Sequence, residues 1–384
     1  MINRDTPLYA SRRNYRIAVS SLFFLSGLCF SSWAARIPSI QRELHLSDAG
    51  LGAVLLSLPI GLMVSLPLAG WLVAKFGSRI IVISAAILYA CTLPFIGFAA
   101  HTGVLMAVLF IFGLGGNLLN IAMNTQGVGV EAIYGRSILA SFHGIWSLAG
   151  FIGAAIGTFM ISQQIVPAYH FLIIAGLALL IVLCAWSFTL AKDTNAKLDQ
   201  PIFVKPDKSL LNLGIIAFCC MICEGAMFDW SGVYFQNVVH AEAAWIGAGY
   251  TAFMSTMAAG RFVADWLVTR FGIKKILQTS GIVIASGLSI AIIFPQIATS
   301  IAGFVLVGAG VSAVVPLVYS AAGKSKKVSP GVALAAVSTI GYLGFLIGPP
   351  VIGFIAQASS LRISFILIAL LGLTTTLVAS RTKW

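Results

Sequence analysis

Apolar runs of about 18 to 25 residues follow one another along this chain with short polar breaks, and each is long enough to cross the ~30 Å hydrocarbon core of a bilayer as a helix. Twelve are legible, at residues 17–39, 49–74, 80–100, 103–127, 138–161, 169–191, 211–234, 245–268, 276–296, 300–322, 331–355 and 362–380. The longest polar break, AKDTNAKLDQPIFVKPDKS, falls between the sixth and seventh runs. The pattern predicts an all-α membrane protein with a six-helix bundle over residues 1–191, a linker at 192–210 and a second six-helix bundle over 211–384.

Composition agrees with a lipid solvent. Only 9% of the 384 residues are charged and 59% are hydrophobic, against about 25% charged residues in soluble domains. In water such a chain would present a continuous apolar surface. No cleavable leader is expected, because Arg12 to Arg16 precede an apolar run too long for a signal segment. The six cysteines lie inside predicted helices, which argues against a disulfide framework.

The net charge of +12 reflects topology rather than a nucleic-acid partner. With the N-terminus placed in the cytoplasm, all Lys and Arg except Arg36, Arg42, Arg261 and Arg362 fall on the cytoplasmic side. Cytoplasmic loops carry the positive excess, so both termini are expected inside a plasma (inner) membrane.

The halves share more than span number. WLVAKFG (Trp71 to Gly77) returns as WLVTRFG (Trp266 to Gly272), each at the turn between the second and third helix of its half. A glycine permits a tight turn there, and the cations hold the turn at the interface and meet helix ends. Gly70, Leu72, Lys75, Gly77 and Arg79, then Leu267, Arg270, Gly272 and Lys274, resemble the loop signature of the major facilitator superfamily. The signature's acid falls on Ala74 and Thr269, so a latch through the first loop is in doubt; Asp265, with Arg261 one turn before it, stands as a substitute. The gating set expected from the resemblance is Gly70, Lys75, Gly77, Arg79, Arg261, Asp265, Arg270 and Gly272, beside the plainer reading of a topological anchor. SFHGIWSLAGFIGAAIG and STIGYLGFLIGPPVIGFIA look like the fucose-permease-like branch of sugar and sugar-acid symporters. The resemblance implies twelve helices in two pseudo-symmetric bundles, a site at the midplane between them, a small-molecule substrate, no cofactor and a monomer that suffices.

Polar residues inside apolar runs need a partner or a water-filled cavity. Asn117, Asn120 and Asn124 share one stripe of the fourth helix. Their carboxamides donate and accept, which suits a neutral polar ligand, although such groups also tie helices together. His143, Trp146, Ser147, Ser312 and Tyr319 complete the expected cavity lining, with Asp229 as an outer ligand. Trp33, Trp71, Trp230 and Trp266 are expected in an interfacial belt. Glu224 is the candidate proton site, because burial lets a carboxylate take up and release protons; the plainer reading is a fixed ion pair with Arg36 or Arg261, the cations nearest its depth, neither of which looks well placed at the midplane, and Asp229 is a second candidate. Pro316 and the Pro349-Pro350 pair should bend their helices.

These features point to a transporter of a small polar, sugar-like solute by alternating access, coupled to proton symport. A proton-coupled efflux antiporter shares the architecture. A sensor or scaffold that lost transport is the alternative of another class, since fold alone does not fix function. Cys219, Cys220 and Cys223 beside Glu224 raise a metal-linked role, but one helix converges too few ligands. No nucleotide motif or nucleophile and base pair suggests an enzyme.

Overall fold

A computed structural model describes residues 12–135, 138–191, 208–323 and 330–382. Helix follows helix throughout. The first half holds α1 (Arg12–Glu43), α2 (Asp48–Phe76), α3 (Ser78–Gly97), α4 (Thr102–Tyr134), α5 (Leu139–Ser162) and α6 (Pro167–Ala185). The second holds α7 (Lys208–Asn237), α8 (Ala248–Phe271), α9 (Ile273–Ile293), α10 (Ile297–Val311), α11 (Val314–Gly323), α12 (Pro330–Ala358) and α13 (Leu361–Arg381). With α10 and α11 taken together, eleven segments among the described residues are long and apolar enough to cross a membrane. The twelfth, α8, falls outside that set; its 24 residues include Arg261, Asp265 and Arg270.

The tenth run does more than bend. It breaks at Ser312 and Ala313, between α10 and α11. Pro316 has no N–H to give the Ser312 carbonyl four residues earlier, so the hydrogen-bond ladder is interrupted there although Ser312 keeps helical dihedrals of φ −52° and ψ −41°. Pro349 and Pro350 lie within the continuous helix α12.

The repeated heptads form one structure made twice. Gly77 has φ 83° and ψ 149°, and Gly272 has φ 78° and ψ 151°. Each N–H closes its helix on a carbonyl four residues back at 2.9 Å, Val73 in one half and Val268 in the other. An L side chain rarely adopts this conformation, so glycine is required at both turns.

Bare backbone sets the packing of α2 on α4. A Cβ on Gly61 would sit 2.0 Å from the Phe110 carbonyl oxygen, and one on Gly113 would sit 2.0 Å from that of Leu58. Only glycine lets the two helices touch at both crossings.

Between halves, α2 meets α12, α5 meets α8 and α1 meets α7. Gly52 lies against Pro349 and Gly353, Gly232 against Pro38, and Thr158 shares a 3.0 Å hydrogen bond with Thr251. These contacts gather at the end remote from the basic turns. Towards the basic end His143, Pro316 and Ser320 are exposed, so the seam opens on that side. Trp33 and Trp230 are 1% and 0% exposed, which corrects their expected place in an interfacial belt. The helices run on to Glu43 and Asn237, past the predicted span ends, and so bury both indoles. Trp71 and Trp266 are exposed, with Lys75 4.6 Å and Arg270 5.6 Å from their ring centres.

Candidate functional site

At the seam, Glu224 on α7 is 6% exposed. Its Oε1 lies 3.4 Å from Nη2 of Arg261 on α8. The plainer expectation of an ion pair is thus met by Arg261, and the expectation that neither nearby cation is well placed is overturned. Arg36 is not that partner: Nε donates to His170 Nδ1 at 3.1 Å and Nη2 to the Ile165 carbonyl at 2.7 Å.

Arg261 also reaches across to the other half. Nη1 donates to Ser147 Oγ on α5 at 2.6 Å, and the guanidinium carbon lies 5.8 Å from the Trp146 ring centre. The Ser147 hydroxyl in turn donates to the His143 carbonyl at 3.0 Å, the usual back-bond of a helical serine. Trp146 is held by a 3.3 Å bond from Nε1 to Ser26 Oγ on α1 and by Phe30, whose ring centre is 6.0 Å away. Phe30 in turn meets Phe228 of α7 edge-on at 5.1 Å. The Arg261–Ser147 bond and the edge-on Phe30–Phe228 contact thus join the two halves.

From this centre a polar path runs towards the open end. His143 Nε2 is 3.2 Å from Asn124 Oδ1, while Asn124 Nδ2 donates to the carbonyl and side-chain oxygens of Asn120 at 2.8 and 3.0 Å. Asn120 and Asn124 are half-buried and His143 is exposed.

The asparagine stripe divides here. Asn117 is buried and donates to Ser65 on α2 at 2.7 Å, inside the packing of the first half. Ser312 is likewise buried, bonded to the Ala309 carbonyl at 2.8 Å and packed against Gly260. Neither reaches the polar path. Tyr319 is half-buried on α11 and shares the electrostatic surroundings of Glu224 with Tyr342 of α12. Asp229 is half-buried further towards the closed end, near the buried Tyr250 hydroxyl. Cys220 and Cys223 turn their thiols to the carbonyls of Val311 and Ile368 at 3.9 and 3.5 Å.

The expected gating residues separate. Arg261 belongs to the centre, although its sequence position next to the second turn suggested a loop role. Gly70 is exposed with open space where a Cβ would stand. Arg79 donates to the Trp186 carbonyl at 3.2 Å, inside its own half. The Asp265 side chain lies outside the described residues.

Tyr342, Ser26 and Tyr250 were missed in the sequence. Tyr342 sits within STIGYLGFLIGPP, where glycine and proline draw attention from its hydroxyl. Ser26 stands on α1 opposite Trp146, and only knowledge of that pairing singles it out among the helix's serines.

Comparison with known proteins adds family and fold. The family model described as Major Facilitator Superfamily matches residues 19–324 and 218–383. An uncharacterized MFS-type transporter of Yersinia pestis is 34% identical over 359 residues, covering 94% of this chain and 93% of the relative. Among solved structures, a bacterial homologue of the human lysosomal transporter Spinster, in an inward-facing and occupied conformation, superposes with a TM-score of 0.77 at 15% identity, covering 98% of each chain. The Escherichia coli fucose:proton symporter FucP superposes with a TM-score of 0.63 at 20% identity, covering 97% of this chain and all of that one.

Proposed function

The chain belongs to the major facilitator superfamily and is a membrane transporter; from that premise we propose that it moves a small polar, sugar-like solute by alternating access and in symport with protons. The observation that carries the reading is the Glu224–Arg261–Ser147 cluster. It places a titratable carboxylate beside a cation that bonds the opposite half, so proton uptake at Glu224 and movement of the halves share one contact.

Asn120, Asn124, His143, Trp146, Ser147 and Tyr319 line the solute path in this reading. Carboxamides and hydroxyls meet the solute's polar groups, and Trp146 offers a flat face to a ring. Asn117 and Ser312 hold the walls behind them. Asp229 receives solute or proton from the remote side when the halves rock. Gly77 and Gly272 keep the two basic turns at the cytoplasmic face, with Lys75, Arg79 and Arg270 as interface anchors, both termini inside and the plasma (inner) membrane as the site of action.

Uptake of labelled sugars, sugar acids and neutral amino acids into proteoliposomes, with and without an inward proton gradient, tests this reading. Gradient-stimulated accumulation of one solute class is expected. Extrusion of aromatic cations with no uptake of these solutes would establish the antiport alternative instead.

A further inference from the structure

Arg261 has more donors than partners. Nη2 meets one oxygen of Glu224 at 3.4 Å, Nη1 serves Ser147 at 2.6 Å, and Nε is buried with no hydrogen-bond partner. A guanidinium presents five N–H groups in a planar fork that matches a carboxylate two bonds to two. The single long contact with Glu224 leaves that fork half used, and a buried unpaired donor carries a desolvation penalty. The groups around the pair are Cys220 and Cys223 on α7, His143, Trp146 and Ser147 on α5, Tyr250 on α8, Tyr319 on α11 and Tyr342 on α12. Among these described groups Arg261 is the permanent cation.

We infer that Arg261 seats a carboxylate carried by the transported solute, which takes the place of Glu224 on the guanidinium. This rests on the transport reading above and names the solute's chemical class. Empty, the site holds one negative and one positive charge. With a second carboxylate on the same cation the two anions repel, and the site stays neutral only if a proton from the bulk joins Glu224 as the solute binds. On the other side the solute leaves, the proton leaves Glu224, and the pair with Arg261 re-forms. One monoanion and one proton cross together and no net charge moves. A neutral solute accompanied by a proton would instead carry one positive charge.

Full-length protein in proteoliposomes, with matched probes such as gluconate with glucose and galactonate with galactose, gives the test. An acid member should be taken up, faster under an inward proton gradient and at an unchanged initial rate under a potassium–valinomycin potential of either sign. Glu224→Gln, whose neutral amide mimics the protonated side chain, should keep counterflow of the acid and lose its accumulation. Arg261→Gln should lose counterflow of the acid. Preference for the neutral member of a pair, or uptake driven by the potential, overturns the inference while proton-coupled transport stands. Absence of gradient-driven uptake for every probe overturns both.

Discussion

At the scale of single residues, two glycines and one ion pair show what a linear sequence can and cannot display. Gly77 and Gly272 hold φ near 80° with extended ψ. Alanine at either should cost about 1–3 kcal/mol of backbone strain and lower the thermal unfolding midpoint by a similar amount in each half. Because the sites are far apart, the double variant should show the sum; a midpoint unchanged in either variant would contradict the shared geometry. That turn was readable in advance because its glycine and cations recur at one spacing. For Glu224 the sequence narrowed the partner only to Arg36 or Arg261, since the pair's members lie on separate helices and no periodicity joins them. What the sequence does carry is depth: Arg261 is nine residues before Arg270, about 14 Å further along a helix. That distance takes it out of the loop to which its neighbours assigned it.

Helices and their joints form the next scale. α4 and α5 meet at a turn where one oxygen of Glu131 accepts the Ile138 and Leu139 N–H groups at 2.7 and 2.8 Å. A carboxylate there satisfies donors that the start of α5 leaves unpaired and faces the positive end of that helix. Glu131→Ala should therefore destabilise the fold by about 1–2 kcal/mol, read as a lower unfolding midpoint, with Glu131→Gln intermediate. An unchanged midpoint in the alanine variant would show that the cap contributes nothing. Across the seam, the Thr158–Thr251 bond ties α5 to α8 at the closed end. Cysteines at both positions should cross-link under oxidation and stop transport, and reductant should restore it; full activity in the cross-linked protein would mean that this end never opens. The apolar rhythm displayed twelve crossings, but not where α10 gives way to α11, because a proline signals a defect without saying whether a helix bends or breaks.

For the whole molecule, the two halves were legible in the repeated heptads, while residues 192–207 of the expected linker lie outside the described residues. The halves' meeting surface was not legible, because it depends on which faces pack across the seam. Asn117 and Asn124 share a stripe in the sequence, yet one bonds Ser65 within the first half and the other joins the path through His143. α2 supplies the partner at Asn117 and α5 the partner at Asn124, which separates them. In the proposed cycle proton and solute cross together, the proton on Glu224. Its most direct test is an entrapped pH dye in proteoliposomes, read when a transported solute is added outside with no gradient imposed. Acidification of the lumen in step with solute entry is expected for the native protein, and none for Glu224→Gln even though that variant still exchanges solute. Solute entry with no proton signal in the native protein, or an equal signal in the variant, would contradict it.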